Sequence, residues 1–95
     1  MILVDAAVWP RGGRLFAHLV SDASYAELHD FAAGLGIPRR AFQGDHYDVP
    51  ADLRALAVSR GALPVTGAVL VRRLKESGLR RKRTEPDAGE LRRNQ

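Results

Sequence analysis

The sequence predicts a single small α/β domain whose strands and helices follow the order β-β-α-β-α-β-α. Two observations support this class: 95 residues is the length of one domain, and short apolar runs alternate with stretches of helical periodicity. Strands that alternate with helices favour parallel pairing through right-handed crossovers. We therefore expect a mostly parallel four-stranded sheet, in two or three layers, within residues 1–79.

Two strands are predicted before the first helix. Ile2–Asp5 is apolar on both faces and indicates a buried strand, and Leu15–Val20 indicates a second one. Residues 9–14 contain Pro10 and a Gly12-Gly13 pair, which predict a loop. Because this linker is too short for a helical crossover, the two strands are either antiparallel or not adjacent.

The clearest helix begins after Ser24. Ser24 and Glu27 have the spacing of a capping box, in which the hydroxyl accepts an N–H and the glutamate reaches back. Gly36 is a natural left-handed stop, and Pro38 prevents continuation. Apolar side chains recur at helical spacing between these signals, at Leu28, Phe31, Ala32 and Leu35.

The second half of the chain continues the alternation. Phe42–Val49 contains the third strand, and residues 50–61 form a helix that has proline in its first turn and ends at glycine. Leu63–Val65 is a short fourth strand, which Pro64 restricts to the edge of the sheet. A third helix, capped by Thr66, completes the domain.

Composition excludes several classes of protein. The chain has no cysteine, so disulfides and thiolate metal sites are excluded. No apolar run approaches the ~20 residues that span a bilayer. The start, Met1–Asp5, lacks the basic segment of a signal peptide. These features predict a cytoplasmic protein that does not associate with membranes.

The basic charge is concentrated at the C-terminus. Residues 1–79 hold nine Lys or Arg against eight Asp or Glu, whereas residues 80–95 hold six against three. We interpret residues 80–95 as a basic polar tail and expect it to be flexible. Such a tail either holds a nucleic-acid backbone non-specifically or is simply a solvated terminus.

Four residues are the candidates for catalysis: His18, Asp22, His46 and Asp48. In the expected parallel sheet, the carboxyl ends of the strands meet at one edge, where α/β proteins bind ligands. His46 and Asp48 share a face of their strand, as do His18 and Asp22 if that strand extends far enough. Asp5 joins them only if the first strand runs in the right direction.

Three kinds of chemistry are open to such a set. His18, His46 and Asp48 are the predicted ligands of a divalent metal. A His–Asp pair alone can act as a general base with its orienting group, and protonated histidines can clamp a phosphate. No specific metal or nucleotide-binding motif is present.

Further residues are candidates for contacts with a ligand, and each has a structural alternative. Trp9 and Tyr47 could stack on a ring or simply pack in the core or a loop, and the aspartates and Ser24 could be helix caps or turn residues. His18 could be a hydrogen-bonded core residue, and His29 is expected on a solvated helix face. The ligand-binding candidates are Asp5, Trp9, Ser24, Arg39, Tyr47 and Arg60.

Several of these positions lie in recognisable motifs. The chain resembles a family of small bacterial and phage proteins that is known only as a domain of unknown function, over about residues 1–80. The resemblance implies that the polar positions chosen by placement are motif positions, but it implies no activity. Many members carry Lys-Arg where this chain has Leu53-Arg54, so only Arg54 can supply that basic pair here. The motifs are Asp5, Trp9-Pro10, His18-Leu19, Asp22, Glu27-Leu28-His29, Phe31-Ala32, residues 36–39, Phe42, His46-Tyr47-Asp48 and residues 60–62.

Two functional hypotheses follow. The first is a small hydrolase that binds a phosphate-containing ligand, with or without a divalent metal, at His18, Asp22, His46 and Asp48. The second is a non-enzymatic module that binds nucleic acid or protein through the tail and the pairs Arg39-Arg40 and Arg72-Arg73. A structural accessory protein is a third reading, and the oligomeric state is left open. The unusual polar groups lie in the folded part, which favours the first hypothesis.

Overall fold

The computed structural model describes residues 1–81 as a mixed α/β domain with a five-stranded sheet and three α-helices. All but the first two residues of the proposed tail, residues 82–95, lie outside the described residues. The strands are β1 (Ile2–Val4), β2 (Trp9–Arg11), β3 (Arg14–Ser21), β4 (Tyr47–Pro50) and β5 (Leu63–Pro64). The helices are α1 (Tyr25–Gly34), α2 (Ala51–Ser59) and α3 (Gly67–Glu76), with a 3-10 helix at Arg39–Ala41.

The sheet is mixed, so the prediction of a mostly parallel four-stranded sheet was wrong. Strand β3 is central and runs antiparallel to β1, β2 and β4. Only the pairing of β1 with β5 is parallel, and β5 lies at the end of the strand order, as its proline predicted. The chain passes from β2 to β3 through a hairpin, and β4 also runs antiparallel to β3. Among the described strands, only β5, which follows α2, runs parallel to the strand with which it pairs.

The segment expected to be a loop, residues 9–14, is a β-hairpin. Gly12 and Gly13 have φ angles of +58° and +78°, which is the left-handed conformation that a two-residue hairpin turn requires. Pro10 is tolerated because β2 pairs only with β3 and has an open edge. The prediction failed because proline and glycine were taken to exclude a strand, whereas here they define an edge strand and its turn.

The helices agree with the sequence signals at most of their ends. The Ser24 and Thr66 side chains accept hydrogen bonds from the N–H groups of Glu27 and Val69, as expected of N-caps. The reciprocal half of the predicted capping box is not formed, because the Glu27 carboxylate instead accepts from the Ser21 hydroxyl and the Met1 amino group. Strand β4, Tyr47–Pro50, begins within the segment Phe42–Val49 that was predicted to contain it and extends one residue beyond that segment.

Helices cover the two faces of the sheet unequally. On one face, which we call the closed face, α1 and α2 bury Leu19, Tyr47 and Leu28 in the larger apolar cluster. On the other, the open face, α3 packs Leu70 and Leu74 against Leu3 and Val20 in a smaller cluster, which the half-buried Val65, Val71 and Leu79 extend. Within residues 1–81, no helix is both long and apolar enough to span a bilayer. The domain thus has three layers, and part of the open face is left without a covering helix.

Candidate metal centre

The register of two antiparallel strands brings His18 and Asp48 together. His18 on β3 lies directly opposite Asp48 on β4, so both side chains point to the open face. Their neighbours Leu19 and Tyr47 form the next pair and point into the core of the closed face. His46, which precedes β4, packs its ring edge-on against that of His18 with the centroids 5.2 Å apart.

The Asp5 carboxylate orients His18. Just after β1, the Asp5 N–H donates to the His18 carbonyl at 3.2 Å, and Asp5 Oδ1 accepts the backbone N–H of His18 at 2.6 Å. Asp5 Oδ2 lies 2.8 Å from His18 Nδ1 and also accepts a long hydrogen bond from the Trp9 indole at 3.4 Å. Asp5 is only 2% exposed, so these contacts compensate for the burial of its charge. Asp5, the residue that follows β1, therefore fixes the orientation of His18 on the neighbouring strand β3.

A second aspartate holds His46 in the same way. The turn before β4 depends on Gly44, whose φ is +89°, and the Gln43 N–H donates to the His46 carbonyl at 2.8 Å. Asp45 Oδ1 lies 2.8 Å from His46 Nδ1, and its carboxylate is 4% exposed. Its other oxygen, Oδ2, accepts the backbone N–H of Arg81 at 2.8 Å.

Both imidazoles are left with Nε2 available on the open face. His18, His46 and Asp48 each offer a ligand atom, and these atoms lie within 4.8 Å of one another. His46 Nε2 is 3.3 Å from Asp48 Oδ1. We call these three residues the triad. Metal-binding histidines usually give their second nitrogen to a carboxylate in this way, so Asp5 and Asp45 occupy the positions of supporting groups.

Arginines surround the triad. Arg11 on β2 contacts the outer oxygen of Asp48, with Nη1 2.6 Å from Oδ2, and its guanidinium lies over the Phe16 ring. Arg80 Nη1 is 3.8 Å from Asp45 Oδ2. The Arg81 side chain turns instead to Tyr25, whose hydroxyl it contacts through Nε at 3.1 Å. Arg80 and Arg81 belong to the predicted tail, and in the structure they line the same hollow as His46 and Asp48.

Two depressions meet at His46. The apolar cavity, of about 550 Å³, lies between the triad and α3 and is walled by Val20, Leu70, Val71 and Leu74. The basic hollow, of about 540 Å³, lies on the Asp48 side and is bordered by Arg11, Arg80 and Arg81. His18 and Trp9 border only the first and Asp48 only the second, whereas Asp45, His46 and Arg80 border both. The triad therefore lies on the boundary between an apolar and a basic space.

Hydrogen bonding sets the charge state of the Asp5–His18 pair. The hydrogen bond to Asp5 raises the pKa of His18 above its usual value, although burial acts in the opposite direction. Burial alone would raise the pKa of Asp5, but hydrogen bonds from the His18 ring and N–H and from Trp9 hold that pKa below its usual value. Asp5 is therefore an anion at neutral pH and accepts the proton on Nδ1 of His18, so Nε2 is the ring nitrogen that a metal ion would bind, in place of its proton.

Asp22, the fourth catalytic candidate, is not brought to the triad. Its carboxylate pairs with the Met1 amino group at 2.9 Å and with Arg73 Nη2 on α3 at 2.6 Å. Ser24 is likewise engaged, as the N-cap of α1. The strand carrying His18 ends before Asp22, which lies at the opposite end of β3 from the Arg11 hairpin.

The remaining ligand-binding candidates divide between the two faces. Trp9 joins the site, with its ring centroid 5.1 Å from that of His18. Tyr47 is buried on the closed face, and Arg39 lies in the 3-10 helix. Arg60 donates to the Gly34 carbonyl at 2.7 Å, which ties α2 to the end of α1. Only Asp5 and Trp9 of this group therefore adjoin the triad.

Sequence reasoning missed several residues of the site. Asp45 carried a signal, since it immediately precedes a histidine in an apolar context. Arg11 carried none, because its position depends on a hairpin that was read as a loop. Arg54 donates from Nε to the Asp5 carbonyl at 2.7 Å and so holds the segment that bears Asp5, and the basic pair of the resembled family was the hint. His29 is half-buried against Phe42, with Nδ1 2.8 Å from the Tyr47 hydroxyl, and not on a solvated face.

The fold and the site together define an α/β domain with a two-histidine, one-carboxylate cluster on an open sheet face. The chain belongs to the family described as "Protein of unknown function (DUF4031)", whose model matches residues 2–77. The match covers every strand and helix described above and agrees with the resemblance seen in the sequence. A search of curated proteins and a search of solved structures each found no match.

Proposed function

We propose that the chain is a small hydrolase of phosphate esters that uses a divalent metal ion bound by His18, His46 and Asp48. The observation that carries the proposal is the convergence of these three side chains, with Nδ1 of each imidazole held by a buried carboxylate. A structural role for the histidines does not require two such carboxylate–imidazole pairs side by side.

The spacing of the triad suits a metal. Bonds of about 2.1 Å in a tetrahedral site separate ligand atoms by about 3.4 Å, and His46 Nε2 and Asp48 Oδ1 are 3.3 Å apart. His18 is within 4.8 Å of both, so a shift of about 1 Å would complete the set. Two imidazoles with one carboxylate form a donor set that binds zinc or iron(II) and leaves coordination positions open.

The charges around the triad favour an anionic substrate. Asp5, Asp45 and Asp48 are balanced by Arg11, Arg80 and Arg81 in the same region. A divalent ion would therefore make the region cationic overall. Arg11 touches the outer oxygen of Asp48 while its side chain is 59% exposed, so its remaining N–H groups are free to meet a phosphate oxygen.

The reaction supported by this arrangement is hydrolysis. A metal lowers the pKa of a bound water and polarises a phosphoryl oxygen. The water oxygen adds to phosphorus, the bond from phosphorus to the ester oxygen breaks, and the released alcohol keeps one proton of the water. In this scheme Arg11 stabilises the negative charge of the phosphoryl group, and Asp5 and Asp45 keep both imidazoles in the metal-binding orientation.

Metal binding is the first test. Isothermal titration of the tag-free, metal-stripped full chain with Zn²⁺, Fe²⁺, Mn²⁺ and Mg²⁺ should show one site with a preference for Zn²⁺ or Fe²⁺. His46→Ala should weaken binding at least about 100-fold, since even loss of a supporting residue costs 10–100-fold. His29→Ala removes a histidine of the closed face and should leave the affinity unchanged. Equal affinity in all three chains would reject the site.

Hydrolysis is the second test. The metal-loaded chain should release phosphate from a panel of alkyl and aryl phosphate esters, and His46→Ala and Asp48→Asn should abolish the release. Metal binding without hydrolysis of any ester would reject the catalytic role. Salt-sensitive oligonucleotide binding that persists in His46→Ala would instead support a nucleic-acid-binding module.

A further inference from the structure

The triad separates two spaces of opposite character, and this division constrains what a substrate must contain. On one side is the basic hollow, which suits a phosphate, and on the other is the apolar cavity. A free phosphate ion would occupy only the first. A ligand that fills both spaces must carry an anionic group on one side of the triad and an apolar group on the other.

The geometry points to a phosphate ester whose alcohol part carries a planar ring, with the ring in the apolar cavity between Trp9 and α3. This inference rests on the proposed function, because the ester bond would then lie over the triad, at the boundary of the two spaces. It adds the class of leaving group, which the metal ligands alone do not specify.

The cavity has the size and surface of a ring-binding site. Its volume of about 550 Å³ lies within the usual range for small-molecule sites, about 300–1,000 Å³. Leu70, Val71 and Leu74 of α3 supply an apolar wall. Trp9 is 50% exposed at the mouth, which leaves ring surface for stacking.

The polar groups at the cavity floor already have partners within the described residues. Asp5 is bound to His18, Asp45 to His46 and the Arg81 N–H, and Arg80, which also lines the cavity, lies 3.8 Å from Asp45. The α3 wall has no polar side chain that could bind a hydroxyl-rich ligand. Its accessible side chains are those of the exposed Ala68 and the half-buried Val71. A sugar or a short polar alcohol would leave this wall without contacts, whereas a ring would cover it.

The test compares ligands that share a phosphate and differ in the attached group. Binding of inorganic phosphate, glycerol 2-phosphate, 1-naphthyl phosphate and adenosine monophosphate to the zinc-loaded full chain is measured by stopped-flow mixing, before the esters are hydrolysed. Both ring-bearing ligands should bind at least about tenfold more tightly than glycerol 2-phosphate, because stacking on an aromatic side chain contributes about that factor or more. The relative affinity of the two ring ligands then shows whether the cavity accepts a nucleobase or another aromatic group better.

A cavity-filling variant locates the ring. Ala68 is exposed on the first turn of α3 and lines the cavity, so Ala68→Leu should fold normally and occupy the ring position. Its affinity for 1-naphthyl phosphate should fall at least about tenfold, with unchanged affinity for Zn²⁺ and inorganic phosphate. Ala68→Ser, which adds little volume, should behave as the parent.

The possible results distinguish failure of the ring site from failure of the proposed metal site. Equal binding of ring and glycerol esters, or equal affinity of Ala68→Leu and the parent for 1-naphthyl phosphate, would overturn the ring site while leaving metal binding and hydrolysis standing. Absence of Zn²⁺ binding in the parent chain would overturn the proposed function, and this inference with it.

Discussion

The two faces of the sheet show how one short strand can serve both the core and the site. On the closed face, Leu19 and Tyr47 are fully buried under α1 and α2. One residue away on the same strands, His18 and Asp48 point to the open face and keep 29% and 19% of their side chains exposed. Because side chains alternate along a strand, the rigid apolar face positions the polar one.

The closed face is where this domain gains stability, and the open face is where it buries polar groups at a cost in free energy. The closed face contains a continuous apolar cluster, which contributes hydrophobic stabilisation. The open face buries Asp5 and Asp45, and buried carboxylates need full compensation by hydrogen bonds. Mutations on the closed face should therefore change stability without changing metal affinity, and mutations of the triad should do the reverse.

The largest effect on folding is expected on the closed face. Leu28 of α1 is fully buried in the apolar cluster, so Leu28→Ala should lower the free energy of unfolding by about 2–5 kcal/mol. Urea denaturation of the metal-free chain measures this. The Zn²⁺ affinity of the folded variant should equal that of the parent, and a loss of affinity would mean that the two faces are not independent.

The largest effect on metal binding short of removing a ligand is expected from Asp5→Asn. The amide can donate to Nδ1 of His18, which moves the ring proton to Nε2 and blocks the metal position. Zn²⁺ affinity should fall by about 10–100-fold, measured by titration calorimetry. Asp22→Asn is the matched control, because Asp22 pairs with Met1 and Arg73 away from the triad. A similar loss in both variants would point to general charge and not to orientation of His18.

A smaller effect is expected from Arg54, which acts on the triad only through the main chain. Arg54→Ala removes the hydrogen bond to the Asp5 carbonyl and should destabilise the domain by about 1 kcal/mol. Zn²⁺ affinity should weaken by a few-fold, since the segment bearing Asp5 is less well held. Arg54→Lys keeps a donor and should recover part of both losses. An unchanged Zn²⁺ affinity in Arg54→Ala would show that the Asp5 segment needs no support.

The smallest effect concerns acid stability at Asp22. Hydrogen bonds from the Met1 amino group and from Arg73 hold the pKa of Asp22 below its usual value, although burial opposes them. A depressed carboxylate pKa adds stability above the unfolded-state pKa of about 3.9, and this is lost as the pH falls through the lower folded-state value. Asp22→Asn should therefore lower stability by roughly 1 kcal/mol or less at pH 7 and have little effect near pH 2. Asp30→Asn, on the exposed side of α1, is the control, and a pH-independent loss in Asp22→Asn would contradict the account.

Local signals in the sequence predicted the elements that depend on local chemistry. The caps at Ser24 and Thr66 and the edge position of Leu63–Pro64 needed only neighbouring residues, and they agree with the structure. The strand directions depend on long-range pairing, and there the prediction failed. A segment such as Pro10-Arg11-Gly12-Gly13 can form a loop or an edge hairpin, and only the partner strand β3 decides between them.

The triad was chosen for a reason that the structure does not support, although the structure does bring its members together. His18, His46 and Asp48 were expected at the carboxyl edge of parallel strands, whereas an antiparallel register places His18 opposite Asp48. Side chains two residues apart along a strand share a face in parallel and antiparallel sheets alike. Both arrangements therefore select the same residues. Asp22 fails the same test because β3 ends at Ser21.

The central claim is that the open face holds one divalent metal ion. The most direct measurement is a crystal structure of the tag-free full chain grown with Zn²⁺, with anomalous diffraction data collected at the zinc edge. The account predicts one strong peak about 2.0–2.2 Å from His18 Nε2, His46 Nε2 and an Asp48 oxygen, with Asp5 and Asp45 still on the two Nδ1 atoms. A zinc-soaked crystal with no peak at the triad, or with its peak elsewhere, would contradict it.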